Sequence, residues 1–247
     1  VLCAGATGCG KRASQLMAPI VPEPTQTTFN VVSLPGREVH GVTYDSGFLW
    51  VTHSRPGDSD NCKIAKLDPT TYAVLQESAE LRWNGRGICV GAGSLWVTDA
   101  LADRVHRVNP TTLQEAGSFS TPGSEPCGIA FDGTYLWLTD PYAQRTYKLS
   151  TSGAVVSSFS IPDVNRFGLE WQGGGLWTPT GDATVGFYTT SGQLSESKTP
   201  ECVPAGSQLF DIAINEDAWY VTVIGGPIPP SSTCNVVSLP GREVHGV

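Results

Sequence analysis

Gly128-Ile129-Ala130-Phe131-Asp132-Gly133-Thr134-Tyr135-Leu136-Trp137-Leu138-Thr139-Asp140 reads as two short apolar strands folded back about a turn. Asp132-Gly133-Thr134 has the chemistry of a tight hairpin. The same pattern recurs along the chain. Leu49-Trp50-Val51-Thr52, Leu95-Trp96-Val97-Thr98, Leu136-Trp137-Leu138-Thr139, Leu176-Trp177-Thr178-Pro179 and Trp219-Tyr220-Val221-Thr222 share one register. Their aromatic positions, 50, 96, 137, 177 and 220, are 46, 41, 40 and 43 residues apart. Nine residues before each aromatic lies an opening pair: Gly41-Val42, Gly87-Ile88, Gly128-Ile129, Gly168-Leu169 and, with Asp in place of Gly, Asp211-Ile212.

After each hairpin comes an alternating stretch. Lys63-Ile64-Ala65-Lys66-Leu67 runs into Asp68-Pro69, and Arg104-Val105-His106-Arg107-Val108 runs into Asn109-Pro110. The period of two marks a strand, and Asx-Pro ends it. Ser118-Phe119-Ser120 and Ser158-Phe159-Ser160 close their units as a fourth strand. Four strands per unit of about 40–45 residues is the sequence pattern of a propeller blade. The chain therefore reads as all-β, a five-bladed β-propeller of four-stranded antiparallel blades. They begin near residues 41, 87, 128, 168 and 211.

Two thirteen-residue strings, 30–42 and 235–247, are the same: Asn-Val-Val-Ser-Leu-Pro-Gly-Arg-Glu-Val-His-Gly-Val. In each, the first half matches the fourth strands of the blades and the last three residues match the start of a first strand. Three readings are open. In intrachain closure, the C-terminal copy is third and the N-terminal copy fourth strand of the last blade. In strand exchange, both copies suit one outer slot and the spare one pairs with another molecule through Val31, Val32 and Leu34 or Val236, Val237 and Leu239. In the third, the chain is one period of a tandem array or carries an engineered overlap. Residues 1–29, with Pro19, Pro22 and Pro24, read as an extended N-terminal arm, and 30–247 as the propeller.

Composition narrows the function classes. The net charge of −8 argues against nucleic acid, which requires clustered Lys and Arg. No run of about 18 apolar residues spans a membrane. The chain opens on Val1 rather than Met, which fits a processed or trimmed terminus. Seven cysteines show no CxxC and no ligand spacing with His, so neither zinc nor another cofactor is expected. They suit disulfides in a secreted or cell-surface protein, with Cys202–Cys234, Cys89–Cys127 and Cys3–Cys9 the natural candidates. No Asn-x-Ser/Thr sequon with a non-Pro middle residue is present.

Catalytic candidates are sparse. His53, Asp99 and Asp140 end the second strands of three blades on one rim, as a polar site or as caps of the turns that follow. Glu170 is the lone carboxylate among the first-strand positions Thr43, Cys89, Ala130, Glu170 and Ala213. It suits a general base or, more simply, a partner for Arg86 or Arg166. His106 reads as solvated, and Trp83 and Trp171 as core residues or as platforms for a sugar.

The units GIAFDGTYLWLTD…TYKLSTSGAVVSSFSIP and GICVGAGSLWVTD…RVHRVNPTTLQEAGSFSTPG resemble blades of the YVTN/NHL/streptogramin-lyase group. A fainter similarity is to the five-bladed glutaminyl cyclotransferases. The resemblance covers residues 30–247 and implies a fold whose members include lyases, hydrolases and noncatalytic scaffolds. The streptogramin lyases use a His/Glu/metal site, and no blade here outside the duplicate sets a His beside a Glu at the rim. The expectation is an extracellular structural or binding propeller whose partners are copies of itself, or a surface glycan or protein. An enzyme with a rim site at His53, Asp99, Asp140 and Glu170 is the alternative.

Overall fold

The structure, a computed structural model, describes residues 28–160, 167–180, 183–200, 203, 208–215 and 218–224, and residues 233–238 by their backbone. It is all-β, with no helix among these residues. The chain begins with β1 (Thr28–Val31), two residues ahead of the expected boundary. The first blade holds β2 (Glu38–Asp45), β3 (Phe48–Ser54), β4 (Cys62–Leu67) and β5 (Val74–Glu77). The second holds β6 (Gly85–Gly91), β7 (Ser94–Asp99), β8 (Arg104–Val108) and β9 (Glu115–Ser120). The third holds β10 (Ile129–Phe131), β11 (Leu136–Asp140), β12 (Arg145–Leu149) and β13 (Val155–Ser160). The fourth holds β14 (Glu170–Gln172), β15 (Gly175–Pro179), β16 (Val185–Tyr188) and β17 (Leu194–Pro200). The fifth is β18 (Gln208–Asn215), β19 (Ala218–Ile224), β1 and β20 (Thr233–Ser238).

The expected register is the observed one. Thr43, Cys89, Ala130, Glu170 and Ala213 pair across their hairpins with Trp50, Trp96, Trp137, Trp177 and Tyr220. These aromatics explain the ring. Trp50 packs with Ile88 and Leu95 of the next blade, Trp96 with Ile129 and Leu138, Trp137 with Leu169 and Leu176, and Trp177 with Ile212 and Val221. Tyr220 completes the circuit against Val42 and Val51 of the first blade. An aromatic buries its large apolar face in a blade-to-blade seam, so one per blade suffices to build a closed ring. The fourth strands face solvent, with Val74, Leu75, Val155 and Val156 exposed.

A second seam is polar. Thr52 Oγ1 accepts from Gly41 N at 2.8 Å and donates to the Arg86 carbonyl of the next blade at 2.6 Å. Thr98 does the same with Gly87 N and the Cys127 carbonyl, at 2.8 and 2.6 Å. Glycine opens the first strand because the next blade's backbone lies against it. A Cβ on Gly41 would strike the Arg86 carbonyl, and one on Gly87 the Cys127 carbonyl. In the fifth blade Asp211 takes the glycine's place. It accepts from its own Ile212 N at 2.8 Å, from Leu169 N of the fourth blade at 3.1 Å and from Val42 N of the first at 2.9 Å.

Closure differs from the expected arrangement. β1 occupies the third place in the fifth blade, parallel to β19, and β20 lies outside it, antiparallel to β1 and to β17 of the fourth blade. All other pairings are antiparallel. The order of the two copies is thus the reverse of the closure expected from sequence, and both are paired within the chain. Phe29 supplies the reason. The duplicate extends back to Thr28 and Thr233, with a single difference, Phe29 against Cys234. Phe29 is fully buried, its ring 5.0 Å from that of Trp219. A phenyl ring buries far more apolar area than a thiol, so the N-terminal copy wins the inner place.

Candidate functional site

Just before each opening glycine or aspartate stands one further residue: His40, Arg86 and Phe210 within β2, β6 and β18, and Cys127 and Phe167 ahead of β10 and β14. In three blades the ladder is bulged here, between Val39 and Val42, Gly85 and Ile88, and Leu209 and Asp211. A bulge turns a side chain out of the alternation. Equivalent positions of a ring's blades share one level, so these five residues, one per blade, mark the mouth where the first strands begin along the propeller's channel. Phe210 is their centre. Phe167 stacks on it at 4.8 Å with planes 6° apart, His40 lies 5.7 Å away, and the Arg86 guanidinium sits 5.6 Å over its face from the opposite side of the ring.

Among the described residues the mouth carries one fixed cation, Arg86. His40 is buried, with Nε2 3.0 Å from Ser54 Oγ and Nδ1 without a partner. Burial, then the positive Arg86 and the neighbouring His53, lower its pKa from 6.5 to about 4, so it is neutral at pH 7. Burial pushes the Cys127 thiol up to about 12 against the pull of Arg86, which leaves it an unreactive SH group. Arg86 is half-buried, its Nε buried without a hydrogen-bond partner, and no carboxylate among the described residues pairs with it. Arginine is charged at any physiological pH.

A deeper layer follows inside the channel: Thr43, Cys89, Ala130, Glu170 and Ala213. Glu170 keeps some accessible surface but is ringed by first strands. Burial, and then the charge of Asp211, hold its pKa well above the usual carboxylate range. Burial pushes Asp211 up as well, but three amide donors draw it back. Burial thus disfavours the charged form of both carboxyls, and of the two only Asp211 has amide donors that offset it. The expected pairing of Glu170 with Arg86 is absent: the guanidinium lies over Phe210 in the mouth layer instead. Arg166 is outside the described residues.

The remaining candidates fall elsewhere. His53 is buried, with Nε2 3.1 Å from Glu77 Oε1 of its own blade, and burial lowers its pKa. Asp99 Oδ1 caps the following turn, accepting from Leu101 N and Asn84 N at 3.0 and 3.1 Å. Asp140 Oδ1 caps its turn through Ala143 N at 2.7 Å, while its other oxygen is buried without a partner and burial raises its pKa. No hydrogen bond or ion pair joins any two of His53, Asp99, Asp140 and Glu170. His106 is buried rather than solvated, 2.9 Å from Glu115 and 3.4 Å from Asp99, with Trp83 stacked 3.8 Å above it. Trp171 stacks on Trp137 at 5.8 Å. Each indole offered as a sugar platform thus has a face already covered from within.

Cys62, Cys89 and Cys127 are buried free thiols, so no Cys89–Cys127 disulfide forms. Cys127 belongs to the mouth layer and Cys89 to the deeper one, on different blades. Cys3, Cys9 and Cys202, Leu239 and the side chains of Val236, Val237 and Cys234 lie outside the described residues, as does the arm before Thr28. Among the described residues no group of three His, Cys, Asp or Glu could hold a metal ion, and no helix is long and apolar enough to cross a membrane. The mouth layer itself was missed by sequence reading. Its signal was positional: the residue before each opening glycine varies freely while all around it repeats.

No protein-family model matches the chain, and no curated protein sequence does. Solved structures do. The glutaminyl cyclase of Myxococcus xanthus superposes with a TM-score of 0.64 over 85% of this chain and 97% of that one, at 12% identity. A streptogramin B lyase superposes with a TM-score of 0.50 over 79% of this chain and 66% of that one, at 18% identity. At these identities the likeness is one of fold: the chain is a propeller built like those of the streptogramin-lyase-like group.

Proposed function

We propose that this chain is a binding and structural propeller that acts outside the cell and associates with copies of itself by exchanging one copy of its duplicated strand. One observation carries the reading. The copies lie 205 positions apart, from 30 to 235, which is one full circuit of five blades. The C-terminal copy therefore has the sequence of the segment that closes the ring. Besides its buried side chains, that segment closes it through its own backbone groups: Val32 N to the Val221 carbonyl at 2.9 Å, the His40 carbonyl to Thr222 Oγ1 at 2.6 Å, and Val42 N to Asp211 at 2.9 Å. Residues 237, 245 and 247 of a second molecule offer the same groups.

Strand direction supports it further. Residues 31–38 lead straight into β2, as a fourth strand does, yet β1 stands third and runs parallel to β19. Parallel pairing is slightly weaker per residue. An exchanged partner strand would draw its affinity from backbone pairing, with Val237 and Leu239 setting the register. The test is light scattering over a wide concentration range, on the chain and on a version ending at Thr233. The full chain should associate and the shortened one should not. A monomer in both removes the proposal.

A further inference from the structure

We infer that the channel mouth formed by His40, Arg86, Cys127, Phe167 and Phe210 is a binding site for a small carboxylate that carries an aromatic or other apolar group. This stands apart from self-association, since it uses the channel and not the outer strands.

Arg86 is the reason for an anion. Its guanidinium comes from the second blade and lies over Phe210 of the fifth, so it reaches across the ring toward the axis. Its Nε is buried and unpartnered. A buried donor left unmade costs free energy, and a ligand that accepts from it recovers that cost. A second donor stands near it on Phe210: His40, 6% exposed, has Nδ1 buried and unpartnered. In the tautomer whose Nε2 accepts from Ser54 Oγ, 3.0 Å away, Nδ1 carries the hydrogen, and a carboxylate bound there would select that tautomer.

The number of charges selects the class of anion. Arg86 is the only cation of the five, because His40 is held neutral. A planar guanidinium meets a carboxylate with two parallel bonds, whereas a phosphate dianion would leave charge unbalanced against apolar walls. Phe167 supplies the rest. It is only partly buried, and its ring stacks on that of Phe210 at 4.8 Å, leaving apolar surface beside the guanidinium. An aromatic or aliphatic group on the carboxylate has that surface to cover. Cys127 remains a thiol, so binding is noncovalent.

Isothermal titration calorimetry of the whole chain with benzoate, acetate, benzyl alcohol and inorganic phosphate tests this. Benzoate should bind more tightly than acetate or benzyl alcohol by about tenfold each, about 1.4 kcal/mol, and phosphate should be the weakest anion. Arg86→Gln should weaken benzoate at least about tenfold and leave benzyl alcohol unchanged, with its melting temperature as the check on folding. Phe167→Ala should narrow the gap between benzoate and acetate. Phosphate equal to benzoate, benzoate no better than benzyl alcohol, or no saturation by benzoate at about 10 mM overturns the inference, the last being a Kd above roughly that concentration. Should Arg86→Gln fail to fold, the ranking of the four probes on the unaltered chain decides alone.

Discussion

Thr222 Oγ1 donates to the His40 carbonyl at 2.6 Å across 182 positions of sequence, and that bond latches the last blade to the first. Thr52 and Thr98 make the same contact between consecutive blades, so the closing bond is one member of a repeated set. Thr222 also accepts from Asp211 N at 3.0 Å. Replacing the hydroxyl with a methyl, Thr222→Val, leaves a buried carbonyl and a buried amide without it. The expected loss is about 1–3 kcal/mol in urea unfolding. Thr98→Val should cost a similar amount. A Thr222→Val chain as stable as the parent would show that closure rests on Tyr220 packing alone.

His40 links the mouth to pH. Its pKa is 6.5 in the unfolded chain and about 4 in the folded one. The unfolded state therefore takes up a proton as pH falls through 6.5, while the folded state resists until about 4. Stability from this group is full above pH 6.5 and is lost as pH drops toward 4, by about 3 kcal/mol at most. His40→Gln cannot titrate, so the stability gap between parent and variant should shrink over that window. A gap independent of pH between 7 and 4 would contradict the burial of the imidazole.

Glu170 acts in the opposite sense. Its ordinary value is 4.5, and burial beside Asp211 raises it in the folded chain. Folding then retains a proton that the unfolded chain releases above 4.5. The associated stability is full below that pH and is lost as pH rises through the folded value. Glu170→Gln, a neutral near-isostere, should melt at a higher temperature relative to the parent at pH 8 than at pH 4.5. Parallel melting curves over that range would show that Glu170 is solvated after all.

Much of this was legible because it repeats. The Trp50 register and its hairpins recur five times and the opening glycine four, and physical need enforces each: a seam to fill, a turn to make, a backbone to approach. What does not repeat was harder to read. His40, Arg86, Cys127, Phe167 and Phe210 have nothing in common as a set, so only their shared position, on a bulge in three blades, reveals a layer. Asp211 looked like an irregular glycine, whereas its carboxylate binds three blades at once. His106 seemed to alternate toward solvent because nothing in sequence announces that Trp83, from a loop, covers it.

The choice between the two duplicated strands turns on one side chain, and that gives the sharpest test of exchange. Phe29 fills the space against Trp219 that Cys234 would leave underfilled. Phe29→Cys makes residues 28–42 and 233–247 the same throughout. It removes a buried phenyl worth about 3–5 kcal/mol as a truncation, so the inner place becomes poorly held and either copy fits it equally. Under the exchange proposal the variant should shift toward dimers and larger species in light scattering, because a vacated place is open to a neighbour's strand. Phe29→Leu, which keeps most of the apolar bulk, should stay closer to the parent. If Phe29→Cys merely lowers the melting temperature and retains the parent's size distribution, the copies do not compete, and the duplicate has no part in assembly.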